Sequence, residues 1–423
     1  MEQTMLLPGA RLHVMKTSKF KNTLISIKFK HDLTREDTTV SSLLAMCLLG
    51  GTSSLPNQQA LASYLEGCYG ANMSSHISSK GEAQIMHLTS SFVNEKFLPT
   101  QEDLFKKQVD LMHDVLFDPL FENGLFTNKV MKQKKRELKE RLAAIKDDKY
   151  SYALDKTLEI MGQDSVLGIS GIGYEEDLED ITLEALTRKL EDVISHDTIE
   201  IYVMGDINDE HVAYLKAAFP FKERQTSKKA SYYFTSNRTS IQEIVEEQDI
   251  TQSKFNMAFK TGVDFLSDDH EAMTIMNGIL GAFSHSRLFK NVREKHSLCY
   301  YISSTFDAFN GVLLVTCGIE ASKAQQVYDL VMAQIKDLQE GSISDEEISI
   351  TKGMFENSLR KSQDEAGSII GLKYNRDLVG KDETIDQYLE KLMSVSKEDI
   401  IKCANALVLD TTFLLKGGQN DDE

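Results

Sequence analysis

The amino-acid sequence predicts an α+β protein made of two homologous domains, each an antiparallel-rich sheet packed with helices. Three observations support this prediction. The length of 423 residues exceeds the usual size of one domain. A block of the first half recurs in the second half with its elements in the same order. Strand-like and helix-like runs are grouped within each half rather than strictly alternating, which favours α+β over α/β.

The repeat is anchored by two short matching segments. LGG at 49–51 is followed by CY at 68–69, and LG at 280–281 is followed by CY at 299–300 with the same spacing. Each copy comes after a run of alternating apolar and polar residues, typical of a half-buried strand, and then a run of helical period. These runs lie at 24–30 and 39–49 in the first half, and at 255–260 and 270–280 in the second.

The remaining elements of each half follow a common plan of strand, long amphipathic helices and a closing strand. Ser322 and Ser344 are each followed three residues later by Gln or Glu, which predicts capping boxes at two helix starts. The first half has a strand at 83–92, helices at 104–116 and 127–146, and a closing strand at 199–204. The second half has a strand at 311–318, helices at 323–338 and 345–361, and a closing strand at 411–415.

We therefore predict a first domain at 1–220, a linker at 221–240 and a second domain at 241–423. The linker is rich in Lys, Ser, Thr and Tyr and lacks sustained apolar periodicity. Its basic residues are interpreted as a solvated surface rather than a docking patch; they are Lys222, Arg224, Lys228, Lys229 and Arg238.

Composition narrows the classes of function. The net charge of −18, from 47 Lys+Arg and 65 Asp+Glu, disfavours nucleic acid and anionic membrane as partners. No apolar run has the length of a membrane span or a signal peptide. The cysteines are odd in number and form neither CxxC nor a zinc-finger pattern, so we expect reduced thiols in a cytoplasmic protein. They are Cys47, Cys68, Cys299, Cys317 and Cys403.

The most informative segment runs from 277 to 300 and reads NGILGAFSHSRLFKNVREKHSLCY. It resembles the second-domain signature of the pitrilysin/insulinase metallopeptidases, written roughly LGGGxSSRLFxxVREKxGLAY, and most closely the mitochondrial-processing-peptidase-like branch. The resemblance implies two similar α+β domains that face each other like a clamshell. It also implies a zinc site in the first domain of active members, where a helix carries HxxEH and a further Glu follows about 75 residues later.

This chain departs from the zinc motif. Counting back from the turn at 51–52, HxxEH falls on residues 42–46, so Ser42 and Met46 replace the two histidines and Ala45 replaces the general base. A hydroxyl and a thioether are poor zinc ligands, and alanine has no proton acceptor. The third-ligand position falls on Leu142, with a slip to Glu140 as the open alternative. We predict no metal in this chain, and no HxxEH or HxxxH spacing elsewhere replaces the motif.

Arg293 and Tyr300 match the Arg/Tyr pair that the family's second domain directs at the zinc site. In the family the Tyr hydroxyl donates to the substrate carbonyl, where negative charge develops, and the Arg positions the substrate backbone. Some family members are heterodimers in which one subunit carries zinc and the other supplies this pair. The resemblance therefore implies a non-catalytic, substrate-binding subunit. The partners that the resemblance implies are a zinc-bearing homologue, encoded nearby, and an unfolded peptide.

Two alternatives remain open from the sequence. A scaffold of the same fold, like the core subunits of ubiquinol–cytochrome c reductase, would bind protein and cleave nothing. A peptidase acting alone through an unrecognised metal site is disfavoured by the missing ligands. The isolated subunit is expected to cleave no peptide alone and to form a homodimer as a substitute for its heterodimer. Zinc is expected only in the partner.

Overall fold

Two separate β-sheets with their own helices organise the chain. The computed structural model describes residues 2–99, 102–163, 165–224, 234, 238 and 240–417. The chain divides into two compact units, the first from Met1–Ala143 with Ser170–Lys228, the second from Ala144–Ile169 with Lys229–Glu423. The strands in chain order are β1 (Glu2–Leu7), β2 (Ala10–Lys16), β3 (Asn22–Asp32), β4 (Asn72–Lys80), β5 (Ala83–Val93), β6 (Phe121–Glu122), β7 (Leu125–Phe126), β8 (Thr198–Gly205), β9 (Gln242–Gln248), β10 (Ser253–Lys260), β11 (Cys299–Asp307), β12 (Val312–Ile319) and β13 (Val408–Gly417).

The helices lie between these strands, mostly in groups. Within the described residues, none has the length and apolarity that crossing a membrane requires. In chain order they are α1 (Thr38–Leu48), α2 (Gln58–Gly67), α3 (Leu104–Phe117), α4 (Asn128–Asp147), α5 (Lys149–Met161), α6 (Leu183–His196), α7 (Asp209–Ala218), α8 (His270–Asn277), α9 (Ala324–Gln339), α10 (Asp345–Ser362), α11 (Ala366–Val379), α12 (Ile385–Ser394) and α13 (Lys397–Ala406).

The five strands of the second sheet follow the same order as five of the six strands of the first, β1 being the additional strand. The first is β1-β2-β8-β3-β5-β4 and the second, read from its last strand, is β9-β13-β10-β12-β11. In the first sheet β8 is parallel to β2 and antiparallel to β3; in the second, β13 is parallel to β9 and antiparallel to β10. The other pairs are antiparallel. The α+β class is confirmed, and the shared order is what an internal duplication predicts.

Each unit has a hydrophobic core between one face of its sheet and its helices. In the first unit, β3 contributes Ile25, Ile27 and Phe29, which pack with apolar residues of α1, α3 and α6. In the second unit, Met257 of β10 packs with apolar residues of α8, α9 and α13. These strands owe their apolar face to the period-two pattern, because alternate side chains of a strand point to the same side of the sheet.

The prediction that β3 is half-buried was wrong. Its polar face is buried too, with Lys28 at 7% and Lys30 at 8% exposure. The alternation of apolar and polar residues shows which residues share a face of the strand but not what covers that face.

Of the two predicted capping boxes, one is present and the other is not. Ser344 forms a capping box with Glu347, whereas α9 begins at Ala324 after an N-cap at Lys323, so Ser322 does not cap it.

Residues 144–169, which the sequence analysis assigns to the first domain, belong to the second unit. The reason is the packing of α5 on the second sheet. Ala153 packs with Phe413 of β13. Thr157 Oγ1 donates to Ala153 O at 2.6 Å and accepts from Asn256 Nδ2 at 3.0 Å. All of these atoms lie within the second unit.

Thr157→Val is expected to destabilise the protein by about 1–3 kcal/mol, because the Asn256 amide loses its acceptor in a buried site. The measurement is the free energy of unfolding from denaturant titration of both proteins. Lys156→Ala, at the neighbouring half-buried position of α5, is the matched control, since Lys156 pairs, among the described residues, only with Glu159 of the same helix. Equal stabilities of Thr157→Val and wild type would contradict this packing of α5.

Most of the predicted linker at 221–240 lies outside the described residues, including Lys228 and Lys229. Its first residues belong to the first unit. Phe221 packs against Phe29 and Phe117. Arg224 is 7% exposed and donates to the carbonyl oxygens of Ile194 and Asp197. Arg238 donates to Ile160 O in the second unit. The two described arginines therefore satisfy backbone carbonyls instead of forming a solvated surface.

Candidate functional site

The residues at the predicted zinc-motif positions line a small cavity in the first unit. Helix α1 contributes Ser42, Ala45 and Met46 to its wall. The cavity has a volume of about 30 Å³ and is completed by β4, α4 and the chain after α5, which contribute Ser75, His76, Ile77, Leu138, Arg141 and Ile172. The helix that carries the family's zinc ligands therefore has small and apolar side chains here.

Helix α4, which contains the predicted position of the third zinc ligand, contributes no carboxylate to this cavity. On α4, Leu138 and Arg141 line it, while Leu142 is 6% exposed in the hydrophobic core. Glu140 is exposed and lies 3.7 Å from Arg136 in an ion pair. Within the described ranges, no group of three or more His, Cys, Asp or Glu side chains has an arrangement that holds a metal ion. The donors at this position do not fit zinc.

The charge around the cavity is positive. Burial lowers the pKa of His76, and the positive charges of Lys28 and Arg141 lower it further. A zinc site has instead anionic or neutral ligands around the divalent cation, without a neighbouring positive charge that repels it. The hydroxyl oxygens of Ser42 and Ser75 are buried and make no hydrogen bond to a described residue.

Next to the cavity, the polar face of the first sheet carries a cluster that the sequence analysis missed. Lys28 Nζ lies 2.9 Å from His87 Nδ1, and His87 Nε2 lies 2.8 Å from Ser78 Oγ. The rings of His76 and His87 stack at 4.5 Å. Burial lowers the pKa of Lys28 to about 8 and that of His87 to about 2, and Lys28, His76 and Lys80 add repulsion at His87. Only the register of β3, β4 and β5 brings these residues together.

A Ser-His-Asp arrangement also occurs, at the end of β3. His31 Nδ1 lies 2.8 Å from Asp197 Oδ2, and His31 Nε2 lies 3.3 Å from Ser41 Oγ. Gln84 donates its amide group to Gly171 O and Thr38 Oγ1, so its oxygen faces His31 Nε2 at 3.0 Å. That nitrogen must then donate a proton, whereas a general base must accept one from serine. Because Ser41 is also only 1% exposed, the group is structural.

Arg293 and Tyr300 lie close together in sequence on the second unit, at the edge of its sheet. A π-helical segment, Phe289–Lys295, carries Arg293, and the guanidinium lies 4.7 Å above the Phe289 ring. Tyr300 is the second residue of β11, the edge strand, at a register shift between Cys299 and Tyr301. A bulge of this kind re-aims a side chain, and Tyr300 is 67% exposed.

Arg293 also lies beside the strand that carries Tyr300. Burial raises the pKa of the Cys299 thiol to about 11, and the Arg293 charge opposes that rise. Neither the Arg293 guanidinium nor the Tyr300 hydroxyl forms a hydrogen bond or ion pair to a described residue. The same signature contains two histidines. His285 contacts Thr351 Oγ1 at 3.0 Å, whereas His296 is exposed.

Tyr69 of the first unit is not the structural equivalent of Tyr300. Tyr69, which the sequence match aligns with it, lies in the turn after α2 with a φ of 57°, before β4 begins. Its hydroxyl donates to Glu102 at 3.3 Å. The matching CY dipeptides therefore occupy different structural positions, because the turn before β4 differs in length from the turn before β11.

Comparisons with known proteins identify relatives of this chain. A family model described as peptidase M16 inactive domain matches residues 180–354. A Bacillus subtilis protein described as probable inactive metalloprotease YmfF is 32% identical over 409 residues, 97% of this chain and 96% of that protein. From the same bacterium, the uncharacterized zinc protease YmxG is 22% identical over 324 residues, 75% of this chain and 77% of that protein. The crystal structure of a conserved Enterococcus faecalis V583 protein matches with a TM-score of 0.93 and 30% identity, covering 100% and 99% of the two chains.

Proposed function

The chain belongs to the peptidase M16 family, the pitrilysin/insulinase metallopeptidases, as an inactive-type member, and on that premise we propose that it is the non-zinc subunit of a two-chain peptidase. In this role Arg293 and Tyr300 act on a peptide bound at the zinc site of a homologous partner. The tyrosine hydroxyl donates to the carbonyl oxygen of the scissile bond, where charge develops. The guanidinium holds the peptide backbone in position.

The exposed, unpaired state of Arg293 and Tyr300 is the observation that carries this proposal. If the two residues had only a structural role, Arg293 would pair with a carboxylate and the Tyr300 side chain would pack against neighbouring residues of the second unit. Instead both polar groups face solvent beside a bulged edge strand. An edge strand has free backbone groups that an extended peptide can join, and the bulge directs the tyrosine outward.

The first unit also supports a role in which the partner, and not this chain, provides the zinc site. Its zinc-motif positions present a hydroxyl, a methyl and a thioether, and Arg141 brings positive charge to them. Zinc and the general base must then come from the partner. Bacillus subtilis contains both a relative described as a probable inactive metalloprotease and a relative described as an uncharacterized zinc protease, so chains of both descriptions occur in one organism.

Co-expression with a zinc-bearing homologue from the same organism tests this assembly. We expect one size-exclusion peak that contains both chains and about one zinc per pair, whereas the chain alone contains no stoichiometric zinc and elutes as a homodimer. Zinc is measured by elemental analysis of the peak fractions. Two separate peaks at micromolar concentration, or a tightly bound zinc in the chain alone, would contradict the proposal and favour a scaffold or an independent enzyme.

A further inference from the structure

We propose that the cavity beside Ser42, at the predicted zinc-motif positions, binds a monovalent anion of chloride size. The inference goes beyond the proposed subunit role, because it concerns the first unit alone and needs no partner. It assigns a ligand to a cavity whose lining side chains do not fit a metal ion.

Two buried hydroxyl groups point to a ligand here. Ser42 is 6% exposed and its Oγ has no hydrogen-bond partner among the described residues. Ser75 Oγ, across the cavity on β4, is in the same state. A buried polar atom without a partner is rare in folded proteins, since its desolvation is not compensated. Two such atoms on one cavity are explained by a small ligand that accepts a hydrogen bond from each.

The charge of the lining selects an anion. The exposed Arg141 lines the cavity, and no Asp or Glu is among the described residues that line it. The pKa of His76, another lining residue, is lowered first by burial and then by the positive charges of Lys28 and Arg141, which agrees with a positive surrounding. A cation would therefore be repelled, whereas an anion gains both the field and two hydroxyl donors.

The size and the walls of the cavity select the kind of anion. A volume of about 30 Å³ has room for one small ion but not for a phosphate or a peptide carboxylate with its chain. Ala45, Ile77, Leu138 and Ile172 give the remaining wall an apolar character. A weakly hydrated halide loses less on entering such a site than a strongly hydrated anion does.

Crystals of the full chain soaked in sodium bromide provide the direct test. We expect an anomalous bromide peak within hydrogen-bond distance of both serine Oγ atoms, absent in Arg141→Gln and retained in Arg136→Gln. Arg136 is the matched control because it lies on the same helix but is paired with Glu140. An ordered water with no bromide at this position in the wild type would overturn the proposal.

A solution experiment covers the case in which crystals of a variant do not form. The melting temperature is followed while sodium chloride replaces sodium gluconate at constant ionic strength. We expect a saturable, chloride-specific increase, with the apparent Kd at least tenfold weaker in Ser42→Ala and Arg141→Gln than in Arg136→Gln. Equal chloride dependence in all of these proteins would overturn the proposal without affecting the proposed subunit role.

Discussion

Tyr300→Phe is expected to lower kcat of the reconstituted two-chain peptidase by about 10²–10³, equivalent to ~2.7–4 kcal/mol of transition-state stabilisation. The change removes one hydroxyl that donates to the developing oxyanion and leaves the ring in place. Complex formation should survive, because this exposed hydroxyl makes no contact that the fold needs. The measurement is kcat and KM on an unstructured peptide for the pair containing wild-type or variant chain.

Arg293→Ala should act differently in the same assay. A residue that holds the substrate backbone contributes to binding in the ground state, so KM should rise at least as much as kcat falls. Tyr301→Phe and Lys295→Ala are the matched controls, at neighbouring positions of β11 and the π-helical segment. Wild-type kinetics for both Tyr300→Phe and Arg293→Ala, with the pair intact, would make the two residues structural and the scaffold interpretation the better one.

Acid should destabilise the first unit through His87, by roughly 2–3 kcal/mol at pH 4.5 relative to neutral pH. Burial and the neighbouring charges lower the folded-state pKa of His87 to about 2, while the unfolded chain keeps a pKa near 6.5. Between these values the unfolded state binds a proton that the folded state does not. Stability is therefore lost as pH falls below 6.5.

The variant His87→Gln isolates this contribution, because glutamine can hydrogen-bond to Lys28 and Ser78 without titrating. We expect its free energy of unfolding to depend less steeply on pH than that of the wild type between pH 6.5 and 4.5. His196→Gln is the control, since His196 is 76% exposed and lies on the surface of α6. Parallel pH profiles for wild type and His87→Gln would show that the His87 environment does not cause the acid sensitivity.

Much of the fold followed from local sequence patterns. The sequence predicted the strands around 24–30 and 255–260 and the helices that follow them. In these segments the apolar residues recur over enough positions to distinguish the period of two of a strand from the period of a helix. The cap at Ser344 was predictable because its partner Glu347 lies within the same turn. Each of these features depends on residues close together in the chain.

Features that depend on distant packing were not predictable. The amphipathic pattern of α5 indicates an apolar face but not which sheet that face covers, so residues 144–169 were assigned to the wrong unit. Lys28 and His87 are far apart in sequence, and only the register of β3 and β5 shows that they are buried together. Tyr69 and Tyr300 match in sequence but not in structure, because two matching residues do not determine the lengths of the turns before β4 and β11.

The proposed role of this chain is to complete the catalytic site of a zinc-bearing partner. It is tested by measuring the cleavage rate of an unstructured peptide by the partner alone, by this chain alone and by the two together, at equal zinc concentration. We expect that only the mixture cleaves the peptide at an appreciable rate. A partner that cleaves equally well with and without this chain would contradict it.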